Sequence, residues 1–98
     1  MVITVKGYLT FKQLIGEQSI VVSKGERLTL WELLVKLSKI LGEDFHNQII
    51  SHQGNEVSQH VAILINGRHY SHLPDKINTQ LEDGDEVAMF PPIAGGRD

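Results

Sequence analysis

The sequence predicts an α+β fold: a mixed sheet of about five strands with one main helix packed on one face. Three observations point there. Apolar and polar residues alternate near the start of the chain, leucines recur at three- and four-residue steps after position 29, and Asn66-Gly67 and Asp83-Gly84 punctuate later runs of strand-forming residues. At 98 residues the chain has material for one hydrophobic core and none for a second.

Ile3, Val5 and Leu9 alternate with Thr4, Lys6 and Tyr8, the pattern of a half-buried first strand, and Gly7 within it marks a bend or a close approach. Leu14-Ile15-Gly16-Glu17 holds the turn. Gln18 to Ser23, with Ile20, Val21 and Val22, is β-branched enough to return as the second strand of a hairpin. Ser23 to Arg27 form a polar loop. Thr29 and Glu32 have the spacing of a capping box, in which the hydroxyl accepts from the glutamate's backbone N–H while the carboxylate reaches back to that of the threonine. A helix therefore starts at Leu30, with a core stripe of Leu30, Leu33, Leu34, Leu37, Ile40 and Leu41 and with Gly42 as its left-handed terminating residue. Glu32 near its start and Lys36 and Lys39 near its end suit the helix dipole.

Residues 43–60 carry a weaker pattern: Phe45, Ile49 and Ile50 fit a short helical turn, and Ser51 to His60 a polar loop. Val61 to Ile65 is a continuous apolar strand, joined through Asn66-Gly67 to a short strand at Arg68-His69-Tyr70. Ser71 to Gln80, with Pro74, reads as loop, and Asp83-Gly84 turns the chain into a last strand, Glu86 to Phe90. There Val87 and Met89 face the core and Ala88 and Phe90 face outward. Strand, strand, helix, strand, short strand, strand is the order of a β-grasp. Residues 1–90 are the folded domain, and 91–98 a flexible C-terminal tail.

Composition narrows the function. Nine Lys and Arg, scattered along the chain, stand against twelve Asp and Glu for a formal charge of -3, so nucleic acid is not an expected partner. Without cysteine there is no disulfide, no thiolate nucleophile and no thiolate-bound zinc. The five histidines, His46, His52, His60, His69 and His72, have no metal-ligand spacing, and Glu82, Asp83, Asp85 and Glu86 lack the alternation of a calcium loop. No apolar run reaches membrane-spanning length and no signal peptide precedes the first strand, which predicts a cytoplasmic protein without a membrane partner. No nucleophile–base set or phosphate-cradling loop stands out, so the chain alone is expected to catalyse nothing. Trp31 reads as core or boundary packing at the first turn of the helix.

The chemistry lies in the tail, Phe90-Pro91-Pro92-Ile93-Ala94-Gly95-Gly96-Arg97-Asp98. Two prolines fix backbone angles and remove two donors, so an extended segment loses less entropy when threaded into a partner. Ile93, Ala94, Gly95 and Gly96 then diminish toward the tip, and paired glycines pass where side chains cannot.

Leu81-x-Asp83-Gly84-Asp85-Glu86-Val87 leading to Phe90-Pro91-Pro92-x-x-Gly95-Gly96 resembles the MoaD/ThiS family of ubiquitin-like sulfur carriers, most closely its molybdopterin-synthase small-subunit branch. The resemblance implies a ubiquitin-like β-grasp that binds no cofactor tightly. It also implies that the Gly96 carboxylate is adenylated by a partner enzyme resembling ubiquitin activators, with ATP and magnesium, and that sulfur then displaces AMP to leave a thiocarboxylate. In that branch a molybdopterin synthase large subunit receives the tail, with Pro91, Pro92, Ile93, Ala94 and Gly95 as the threaded segment, and Phe90 packs against the partner. The thiocarboxylate then supplies sulfur for molybdopterin or tungstopterin.

The chain departs from the family pattern at its end, where Arg97 and Asp98 follow the second glycine. While they remain, Gly96 carries a peptide bond, so a tail-trimming protease is expected to remove them; a copy that is inactive or regulatory is the other explanation. Two readings stand beside sulfur carriage: a protein modifier joined through Gly96 to lysines, and a β-grasp interaction module that is never activated.

Overall fold

The computed structural model describes residues 1–92 of the chain. Alternation makes Val2–Gly7 the first strand, β1, with Ile3 and Val5 fully buried and Val2, Thr4 and Lys6 on the other face. The strand stops there. Leu9, expected within it, opens a 3-10 turn over Leu9–Phe11 that runs directly into a short helix, α1, Lys12–Ile15. The connection to the second strand, β2, Glu17–Val21, is thus helical rather than a tight turn at 14–17. Phe11 and Ile15 explain it: both are buried, and their four-residue spacing gives the segment a helical apolar face that competes with the alternation read through Leu9.

Gly7 makes that packing possible by a close approach. A Cβ there would collide with the carbonyl oxygen of Phe11 and come within 2.8 Å of the Ile15 Cβ. Leu9 has a φ of 55°, a left-handed conformation that costs a non-glycine residue roughly 1 kcal/mol. Its side chain is 73% exposed and recovers little of this by packing.

β2 ends at Val21, short of the expected Ser23, but Val22 stays buried and its N–H donates to the carbonyl of Met1 at 2.8 Å. The main helix, α2, spans Leu30–Leu41. Its capping box is formed as expected, with the Glu32 N–H donating to Thr29 Oγ1 at 3.1 Å and the Thr29 N–H to Glu32 Oε1 at 2.9 Å. Leu30, Leu33, Leu34 and Leu37 are fully buried. Ile40, assigned to the same stripe, is 54% exposed. The chain reverses at Gly42, whose φ is 93°, into α3, Glu43–Ile49, and the fully buried Phe45 and Ile49 take the core positions beside the last turn of α2. Trp31 is half-buried and packs against the core.

The remaining strands are β3, Ala62–Ile65, β4, Arg68–His69, and β5, Glu86–Phe90. Between β3 and β4, Asn66 and Gly67 both have positive φ, 51° and 86°, the geometry that favours Asn-Gly in two-residue hairpins. Tyr70 does not extend β4. The Nδ1 of His69 accepts the N–H of Ser71 at 3.2 Å, a local cap that diverts residues 70–72 into a 3-10 turn, and a second such turn, Lys76–Asn78, lies in the expected loop.

The sheet order is β2-β1-β5-β3-β4. β1 and β2 are antiparallel, β1 and β5 parallel, and β5 and β3 antiparallel, so the sheet is mixed and its central strand is the last one in sequence. Helices cover one face, and Ile3, Val5, Ile63, Val87 and Met89 meet α2 and α3 there without exposure. This is the β-grasp architecture.

Candidate functional site: the root of the C-terminal tail

Because β5 is central, the chain leaves the body from the middle of the sheet rather than from a frayed edge. Three turn side chains brace the entry to this strand. Asp83 Oδ1 accepts from the N–H of Val2 at 2.7 Å, and the Asp85 carboxylate accepts from the N–H of Glu82 and from the Asn66 side chain, each at 2.8 Å. Asn66 Oδ1 in turn accepts the N–H of Glu86 at 2.9 Å. The acidic residues of this turn fasten the start of β5 to the start of β1 and to the hairpin residue Asn66.

Along β5 the side chains alternate as the sequence predicts. Val87 and Met89 point into the core, while Ala88 and Phe90 belong to the outer face. Phe90 is only half-exposed, because its ring lies face to face on that of Tyr8, with centroids 4.6 Å apart and planes inclined by 7°. The Tyr8 N–H also donates to the Met89 carbonyl at 3.0 Å. Tyr8 was not singled out by sequence reasoning. It lies one residue past β1, and its meeting with Phe90 follows from a parallel register that sets Gly7 opposite Met89, which no local signal reveals.

Around this pair the outer face is apolar on one side and charged on the other. Ala62 is the register partner of Phe90, and Leu64 the partner of Ala88. Lys6, beside Ala88 on β1, lies 3.6 Å from the carboxylate of Glu86. Pro91 is half-buried and Pro92 exposed, so these two tail residues sit at the rim of the patch. The other residues expected to carry the chemistry, Ile93, Ala94, Gly95 and Gly96, and the expected cleaved pair Arg97 and Asp98, lie outside the described residues.

A second group of polar side chains occupies the far edge of the sheet. His69 stacks on Tyr70 with centroids 4.9 Å apart, and the ring of His72 lies 6.0 Å from that of His69. Burial, helped by His72, pulls the His69 pKa below 6.5, and burial, helped by the Glu56 carboxylate, raises that of Tyr70 above its ordinary 10.0. Among the described residues no cluster of three or more His, Cys, Asp or Glu side chains is arranged to hold a metal ion. No helix among them is long and apolar enough to cross a membrane.

Comparison with known proteins bears on the chain from end to end. The ThiS family model matches residues 10–96 and so ends on the second glycine. Small archaeal modifier protein 3 of Haloferax volcanii is 34% identical over 96 residues, covering 98% of this chain and all of that protein. A putative sulfur carrier protein of Archaeoglobus fulgidus is 37% identical over 71 residues, 72% of this chain and 77% of that one. Among solved structures, a putative molybdopterin converting factor, subunit 1, from Pyrococcus furiosus superposes with a TM-score of 0.68 at 27% identity, covering 95% of this chain and 99% of that one.

Proposed function

The chain belongs to the ThiS family, and from that membership we propose that it is a sulfur carrier whose Gly96 carboxyl group, freed by removal of Arg97-Asp98, is adenylated and then thiocarboxylated. The observation that carries this reading is the family match itself, which runs through the folded body and stops at Gly96. The body supports it by delivering the tail from the centre of the sheet, with Pro91 and Pro92 directly after an outward aromatic stack.

A carboxylate is a stabilised anion and a poor electrophile. Attack of its oxygen on the α-phosphorus of ATP, with magnesium and loss of pyrophosphate, converts it to an acyl adenylate, and a sulfide-level sulfur nucleophile then displaces AMP to leave the thiocarboxylate. The enzyme that resembles ubiquitin activators supplies this chemistry; the chain contributes the acyl group and a docking surface. Phe90 on Tyr8, flanked by Leu64 and Ala62, is that surface, and the threaded segment is Pro91 to Gly95. The receiving partner proposed is a molybdopterin synthase large subunit, which passes the sulfur to the pterin; the similarity to the Pyrococcus furiosus protein favours this acceptor. A protease that trims Arg97-Asp98 completes the set.

One observation favours a second reading. A relative that aligns over nearly the whole chain is named a modifier protein, so the same acyl adenylate transferred to a lysine amine gives a ubiquitin-like conjugate instead. The decisive experiment combines the chain ending at Gly96 with ATP, the host's adenylating enzyme and a sulfur donor. Gain of one sulfur in place of oxygen supports carriage, ladders of larger conjugates in host extract support modification, and an unchanged mass rejects both.

A further inference from the structure

Leu9 is the most exposed large apolar side chain among the described residues, at 73%, and it is held in the left-handed region at a φ of 55°. Neither the backbone nor the core accounts for a leucine there. Glycine or asparagine adopts that φ with less strain, and a polar side chain is as well solvated.

Its position is nevertheless tightly determined. On one side the Tyr8 N–H is bonded to the Met89 carbonyl at 3.0 Å, and on the other the Phe11 N–H is bonded to the Tyr8 carbonyl at 3.0 Å. Tyr8 itself lies on Phe90, the last residue before the two prolines. The leucine is therefore carried at a set offset from the root of the tail. Beside it opens a recess of about 620 Å³ lined by Gly7, Tyr8, Leu9 and the charged residues Lys6, Lys12 and Glu17. Lys6 is engaged with Glu86, while Lys12 is exposed and makes no ion pair among the described residues.

We infer that Leu9 is a specificity-determining contact for the adenylating enzyme that takes up the tail, seated in an apolar recess of that enzyme whose rim presents a carboxylate to Lys12. The inference rests on the proposed function, since any enzyme that engages the tail at Pro91 meets the surface around Phe90, Tyr8 and Leu9. A second copy of this chain is the competing occupant. The position of the recess argues for the enzyme: Tyr8, which lines it, stacks on Phe90 at the root of the tail, so a partner that takes up the tail also reaches Leu9.

The test is ATP–pyrophosphate exchange by the host's adenylating enzyme, run with the full chain and with the form ending at Gly96. Leu9→Asn should raise KM about tenfold, as expected for losing one buried leucine at an interface. It should leave kcat within about twofold and the melting temperature unchanged or higher, a split that a structural role does not produce. Leu9→Met should restore most of the affinity. Lys12→Glu should raise KM, most strongly at low ionic strength. An unchanged KM for Leu9→Asn, or a rise matched by loss of folding, overturns the inference. So does an unchanged KM together with loss of a dimer formed by the unaltered chain. Absence of exchange with either unaltered form instead rejects the functional reading, and the inference with it.

Discussion

The two faces of one sheet divide the work of this molecule. Beneath the helices, Ile3, Val5, Ile63, Val87 and Met89 are without exposure, whereas on the opposite face Val2 is 43% and Val21 70% exposed. Met89 and Phe90 bring the contrast down to neighbouring residues of β5, one sealed in the core and the other at the surface against Tyr8. Under the proposed function, a single strand ties the stability of the body to the presentation of the tail, and the alternation of the pleat keeps the two tasks on separate side chains.

Truncation of these neighbours is the sharpest way to break that comparison. Met89→Ala should lower unfolding free energy by about 3 kcal/mol in a urea titration, the usual cost of emptying a core position. Phe90→Ala should cost about 1 kcal/mol, the value of a partly exposed aromatic pair, while weakening adenylating-enzyme binding at least tenfold in a titration calorimeter. Equal losses of stability would mean that the outer face is structural. Thr29→Ala, which removes the cap of α2 without touching either face, should cost about 1 kcal/mol and leave partner binding unchanged.

Smaller effects sharpen the division at the rim. Val21→Thr on the open edge should change stability by no more than about 0.5 kcal/mol. His69 adds a pH dependence. Its folded pKa lies below 6.5, so its contribution to stability is complete above 6.5 and is lost as pH falls through the lowered folded value. Protonation of Nδ1 also removes the acceptor for the Ser71 N–H. A His69→Gln variant should flatten the acid limb of a melting-temperature profile, and a profile equally steep in the variant would assign that limb to other groups.

Local chemistry was legible in the sequence wherever neighbours in the chain determine the outcome. Thr29 with Glu32, Asn66 with Gly67, and the alternation along β5 each settle a short stretch through hydrogen bonds or pleat geometry that span few residues, and all three appear as expected. What could not be read depends on tertiary competition. Leu9 continues the period of two, yet burial of Phe11 and Ile15 over Gly7 bends the chain into a helical connection. Ile40 has helical spacing, yet it is 54% exposed while Phe45 and Ile49 of α3 are fully buried. The site divides in the same way: Phe90 and its outward direction were accessible from alternation, while Tyr8 came to light only through the parallel register of β1 and β5.

The central claim is that position 96 offers the cell an activated acyl end. Intact-mass measurement of the protein purified from its native host addresses it directly. The account predicts a species ending at Gly96, without Arg97 and Asp98, with one carboxyl oxygen replaced by sulfur. A population that keeps both terminal residues and bears no sulfur or conjugate at Gly96, under conditions where the host is making its sulfur-containing products, would contradict it.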